Sequence, residues 1–236
     1  MKVLVIGGMH GNETLGIEVV KLFKNNSVNQ VDTFLANEQA IKNDCRFVGQ
    51  DLNRSFPGDK DSANYEIGRA AQILELTKKY DIVLDFHNTY CPNNDCAFVG
   101  QTATQLLDSV AVFLGLKKVI IADYDCINKF APNCLSVEVS VDSQLNKPEV
   151  WYDKITQLSR LDNLIYETSD LEKYRFVYRM TLDDKDKFNL TSKQLRAFKP
   201  ISNNLAIKLG VTTPAYPIFV DDNFTPYNYG GLLTKI

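Results

Sequence analysis

Histidine is nearly missing from this chain. Its 236 residues contain two, His10 and His87, so any imidazole chemistry must use those positions. The five cysteines (Cys45, Cys91, Cys96, Cys126 and Cys134) include no C-x-x-C pair. An odd, scattered set excludes a disulfide frame and reads as reduced thiols of a cytoplasmic protein. No apolar run approaches the ~20 residues of a membrane-spanning helix. Lys and Arg form no block and the net charge is −3, which argues against a nucleic-acid partner, because phosphate neutralisation needs clustered cations. Internal repeats and low-complexity segments are absent. Met1 enters an apolar stretch at once, so no signal peptide is expected.

What is present begins with MKVLVIGGMHGNE at Met1–Glu13. Val3, Leu4, Val5 and Ile6 read as a buried strand, and Gly7 and Gly8 allow a sharp turn at its end. His10 and Glu13 then stand just beyond the carboxyl end of a strand, where open α/β sheets hold ligands. Both residue types bind zinc well, and at this spacing they can share one face of a turn. The plainer alternatives are a hydrogen-bonded histidine and an acid favouring a helix start. A dinucleotide loop fits poorly: Gly7, Gly8 and Gly11 miss the G-x-G-x-x-G spacing, and no acid directly ends the next strand-like run, Val31–Ala36.

An apolar content of 44% supports a substantial core, and the length suits one large domain or one with a small appendage. Helical spacing marks residues 13–23, 63–80, 102–116 and 148–165, the last opened by Pro148. Strand-like runs cover residues 31–36, 81–86, 96–100, 117–122 and 135–140. This alternation predicts a layered α/β domain over residues 1–167. Beyond Thr168, short strands are expected at residues 174–180, 204–209 and 216–220, with no strong helix, giving a small β-rich domain over 168–236 that caps the cleft. The polar stretch from Asp44 to Asp61 is long for a plain connection, and such loops are often functional.

Each histidine follows an apolar strand, VLVIGGMH for His10 and IVLDFH for His87. Both should project at one edge of one sheet. With Glu13 they make two imidazoles and a carboxylate, a common ligand set of catalytic zinc with one position open. Asp85, two residues before His87, either supports the site from behind or simply ends the strand. In LSVEVS, Glu138 alternates with Ser136 and Ser140; alternation alone would turn all three to solvent.

The segments GMHGNE, DLNRSF, DFHNT and VEV, in this order, resemble the aspartoacylase/succinylglutamate desuccinylase family, a branch of the zinc carboxypeptidase-like fold. The resemblance implies a mixed, largely parallel sheet flanked by helices and a zinc-dependent amidohydrolase that releases a free amino acid from an N-acyl amino acid. It implies one Zn²⁺ per chain on His10, Glu13 and His87, with Glu138 as general base and acid. Arg46 would polarise the scissile carbonyl, Asn53 and Arg54 would grip a substrate carboxylate, and Asp51 would brace their loop. Ser140, Val141 and Asp142 stand where members often carry Gly-Pro-Gln. Asn128 and Lys129 occupy the place of a family arginine, so Lys129 becomes the candidate point charge for an acidic side chain. Tyr227, with Tyr229 as alternate, matches a tyrosine of the family's C-terminal domain.

The chemistry is coherent on its own terms. Open-site zinc activates water near pH 7, an adjacent carboxylate can carry its proton to the leaving amine, and a cation can meet the developing oxyanion. Arginine can hold a carboxylate by two parallel hydrogen bonds. The competing readings are a carboxypeptidase acting on peptides and a zinc- or ligand-binding protein without turnover. The expected partner is a small N-acyl amino acid, neither nucleic acid nor membrane, with self-association left open.

Overall fold

The apolar run after Met1 forms β1 (Val3–Gly7), with every residue buried. Chain order continues with α1 (Thr14–Asn25), β2 (Val31–Leu35), α2 (Glu38–Lys42), a 3-10 turn at Leu52–Arg54, α3 (Tyr65–Thr77), β3 (Ile82–Thr89) and β4 (Cys96–Gly100). Then come α4 (Gln105–Leu114), β5 (Lys118–Ala122), α5 (Ile127–Phe130), β6 (Cys134–Ser140) and α6 (Pro148–Ser159). The C-terminal part holds β7 (Glu172–Thr181), α7 (Leu182–Phe188), α8 (Asn203–Lys208), β8 (Ala215–Ile218) and β9 (Asn228–Lys235). This computed structural model describes residues 1–222 and 228–236.

Among the described residues the strands join in one sheet, ordered β2-β1-β3-β6-β4-β5-β7-β9-β8. Pairing is parallel for β2-β1-β3-β6 and for β4-β5-β7, and antiparallel at β6-β4, β7-β9 and β9-β8. The mixed, mostly parallel sheet flanked by helices is the architecture the motifs implied. Strand alternation divides the core into two layers. Val3, Val5, Ile82, Leu84, Phe86, Leu135 and Val137 pack with Val19 of α1, Val110 of α4 and Trp151 of α6. Leu4, Ile6, Val83 and Cys134 face the other way, onto Ala70 and Ile73 of α3 and Ile127 of α5. Burial on both faces explains why the central strands read as continuous apolar runs.

The C-terminal part is strand-rich but departs from the expected pattern. Residues 204–209 lie in α8 and its C-cap Leu209 rather than in a strand. Leu205, Ile207 and Leu209 alternate as in a strand, yet the Ser202 side chain accepts a hydrogen bond from Leu205 N and starts a helix. The buried positions are then Ala206 and Leu209, while Ile207 is 72% exposed. α7 was not expected either; Thr181 and Asp184 form a reciprocal capping box at its start. β7 lies parallel to β5, so these strands extend the main sheet. All five cysteines are free. Among the described residues no helix is long and apolar enough to cross a membrane.

Candidate active site

β1 and β3 are adjacent and parallel, so the loop after β1 and the end of β3 reach the same sheet edge. Gly8 makes the turn with φ 70, and a Cβ at Gly11 would lie 2.1 Å from the Ala40 carbonyl carbon. The loop is thereby pressed onto α2, and His10 is aimed inward. Glu13 occupies the N-cap of α1 but makes no capping bond with its side chain. Instead Asn88 Oδ1 accepts from Leu15 N at 2.9 Å, which ties the end of β3 to the first turn of α1. The Glu13 carboxylate is left to face the imidazoles.

Its two oxygens meet His10 Nδ1 at 2.7 Å and His87 Nδ1 at 2.8 Å. The ring centroids are 5.1 Å apart, and one ligand atom from each of the three residues lies within 4.8 Å of the others. The far side of each ring is held by another acid: His10 Nε2 by Asp51 Oδ1 at 3.1 Å, His87 Nε2 by Asp85 Oδ2 at 2.8 Å. That carboxylate–histidine arrangement fixes ring orientation and leaves both Nδ1 atoms for one ion. His10, Glu13 and His87 are each 3% exposed. Three acids converge on two imidazoles, so the donor set suits a divalent cation.

His87 pairs in register with Glu138 on β6, and Asp85 with Ser136. Ser136 Oγ donates to Asp85 Oδ2 at 3.0 Å, while Asp85 Oδ1 is buried without a partner. Alternation does send Ser136, Glu138 and Ser140 to one face, but that face is covered: the serines are 3% and 1% exposed. Glu138 therefore lines the cleft beside His87. Arg46 reaches Glu13 Oε1 with Nη1 at 3.1 Å and Asp51 Oδ2 with Nη2 at 3.4 Å, and its Nε is buried with no partner.

The electrostatics separate the acids. Burial would raise Glu13, but His10 and His87 outweigh it and hold its carboxyl well below the usual range. Asp51 is likewise depressed, its burial overcome by His10 and by the charges of Arg46 and Arg54. Burial would lower His87, yet Asp85 and Glu13 raise it well above the ordinary imidazole value. Glu138 is pushed up to about 8 by burial; His87 opposes the shift, and Glu13 and Asp222 add to it.

Asn53 and Arg54 also line the cleft. Asn53 Oδ1 accepts from Ile127 N at 3.2 Å, which anchors the side chain. Asp51 stands behind His10 and caps the 3-10 turn through Asn53 N at 2.9 Å. Lys129 is not brought to the cleft; it is exposed and paired with Asp125 at 2.7 Å. Its neighbour Asn128 is buried and donates to the carbonyls of Phe98 and Cys134. Tyr227 lies outside the described residues. Tyr229 is buried in the C-terminal core, its hydroxyl donating to Leu190 O at 3.3 Å. Residues that sequence reasoning missed come from the later strands: Phe176 and Arg179 on β7, Phe219 and Asp222 after β8.

The same architecture occurs in solved structures. Succinylglutamate desuccinylase from Chromobacterium violaceum superposes with a TM-score of 0.75 over 99% of this chain and 84% of its own, at 18% identity. Murine aminoacylase 3 gives 0.64 over 100% of this chain and 95% of its own, also at 18% identity. Residues 1–109 match the model of the succinylglutamate desuccinylase/aspartoacylase catalytic domain. An aspartoacylase of Danio rerio is 28% identical over 125 residues, and a probable aspartoacylase of Trichodesmium erythraeum 35% identical over 103. Those alignments span 45% and 37% of this chain, and 39% and 35% of the two relatives.

Proposed function

We propose that this protein is a zinc-dependent amidohydrolase that cleaves the acyl-amide bond of an N-acyl amino acid to a carboxylate and a free amino acid. The observation that carries this reading is the juxtaposition of two Nδ1 atoms and the Glu13 carboxylate with Glu138 on the next strand. His10, Glu13 and His87 would hold the ion. When bound, zinc acidifies water and polarises a carbonyl.

The remaining work falls to side chains. Glu138 has an affinity for protons near neutrality. A base so placed can accept the proton of the attacking water and deliver it to the departing nitrogen. Arg46, fixed by Glu13 and Asp51, supplies positive charge where the carbonyl oxygen becomes anionic. Asn53 and Arg54 hold the substrate's carboxylate. Residues 168–236 would close the cleft from the far side, with Phe176 and Phe219 as apolar walls. Such a wall favours a small substrate over a long peptide.

The test is release of free amino acid from a panel that varies acyl group and amino acid separately, including acetyl-aspartate and succinyl-glutamate. Chelator-sensitive hydrolysis of at least one compound is expected. If none is cleaved, or if a long peptide is trimmed faster than every panel member, the reading fails.

Glu138 also gives the metal-free protein a pH signature. Between the ordinary 4.5 and about 8, the unfolded chain releases this proton and the folded chain keeps it. The folded state then binds more protons, so stability falls as pH rises through that window. Glu138→Gln removes the effect. Thermal melts of the metal-free proteins should show the variant gaining on the wild type from pH 5 to pH 8, by about 5 °C. Parallel melting curves would refute the assignment.

A further inference from the structure

Arg54 and Arg179 enter the cleft from opposite ends of the chain and share one ring. The Arg54 Cζ lies 4.7 Å from the Tyr124 centroid and the Arg179 Cζ 5.6 Å. Among the described residues neither forms an ion pair. Among the described residues the Arg54 guanidinium donates only to Asn53 O, at 2.9 Å, and Arg179 makes no side-chain hydrogen bond. The acids nearby are occupied: Asp51 by His10 and Arg46, Asp222 by Thr89 Oγ1 at 2.6 Å. Two like charges therefore face one opening with no carboxylate in ion-pair contact among the described residues, and Asp51 acts on both from a distance. Desolvation and the charge of Arg54 both depress the Arg179 pKa from its usual value.

The backbone places Arg179 there by a specific device. Pairing of β7 with β9 shifts register between Phe176 and Tyr178. Without that shift, Phe176 and Tyr178 would share a face. With it, Phe176 and Arg179 both line the cleft, while Tyr178 and Met180 pack into the C-terminal core. Bulges re-aim side chains in this way. Opposite Arg179 stands Gly231, where a Cβ would lie 2.5 Å from Phe176 Cε2. The missing side chain gives the Phe176 ring its place against Tyr124, 5.5 Å between centroids, the ring that the Arg179 guanidinium also approaches.

We propose that Arg179 is a substrate-binding residue which, with Arg54 over the Tyr124 ring, closes on one carboxylate of the substrate. Such an anion cancels the repulsion between the two cations, and each guanidinium can donate two parallel hydrogen bonds to it. The assignment rests on the hydrolase reading above and names the residue that completes its anion recognition. Because the carboxylate is remote from the reacting carbonyl, the contact is equal in the ground and transition states and acts on KM.

The experiment uses the metal-loaded protein, wild type, Arg179→Ala and Arg179→Lys. It measures kcat and KM for the best panel substrate and calorimetric binding of succinate, with neutral succinamide as control. Arg179→Ala should raise KM about 10-fold or more, leave kcat within about threefold, and weaken succinate by a similar factor. Lysine should restore part of the affinity, because it keeps the charge and loses the fork. Unchanged succinate binding, no succinate binding by the wild type, or a fall in kcat at constant KM would overturn the proposal. If succinate binding depends on Arg179 but no panel compound is cleaved, the hydrolase reading falls and the arginine assignment stands. If the panel is cleaved with an unaltered KM in Arg179→Ala, the reverse holds.

Discussion

Replacing Glu138 by alanine should lower kcat about 10²–10⁴-fold while metal content stays that of the wild type. The two outcomes separate because Glu138 lies beside the three-residue cluster without belonging to it. Its carboxyl is raised to about 8 mainly by burial, so at neutral pH it can both hold and release a proton. On the proposed function alanine removes the proton shuttle and leaves the His10, Glu13 and His87 cluster in place. Steady-state kinetics and elemental analysis on the same sample check the claim. A variant retaining more than about a tenth of the wild-type kcat would remove Glu138 from the proton path. Glutamine keeps the shape without the proton chemistry, and should be as impaired as alanine.

His87→Ala is expected to act twice. On the proposed function it deletes one of three ligands, so dialysed protein should lose its metal and its activity. It also strips Asp85 of its principal partner. Asp85 is fully buried, its Oδ1 is already unpaired, and only Ser136 Oγ would remain on Oδ2. Breaking a buried charged pair costs about 3–5 kcal/mol. Chemical denaturation of the metal-free proteins isolates this second effect. Adding Asp85→Asn to His87→Ala should recover part of the loss, because a neutral amide is easier to bury than a lone carboxylate. If His87→Ala unfolds at the wild-type midpoint and keeps its metal, both roles are refuted.

The edge that carries the candidate site was legible in the sequence because His10 follows the apolar β1 and His87 lies near the end of the apolar β3, which runs on to Thr89 rather than ending at Phe86. A run buried on both faces is distinctive, and the residue that ends it must sit at a sheet edge. His10 and His87 could be located on that ground alone. Glu138 was half legible: the alternation with Ser136 and Ser140 was correct, but no single strand announces that a second layer covers that face. Asp51 showed its motif and not its contact, since its hydrogen bond to His10 spans 41 positions. Arg179 left no local signal at all, because its direction depends on a register shift defined by β9. The α8 error has a similar root. Three alternating apolar residues imitate a strand, and the Ser202 cap that decides the matter is a single side chain.

The parallel seam between β5 and β7 bears on how the molecule can be divided. Cutting after residue 167 would strip β5 of its neighbour and leave a naked row of amides and carbonyls along Lys118–Ala122, three of whose five residues are buried. Such an exposed border is a template for pairing with another chain. The N-terminal segment thus carries the candidate metal ligands but lacks a finished flank, and the later strands serve it as a hem before they serve it as a wall.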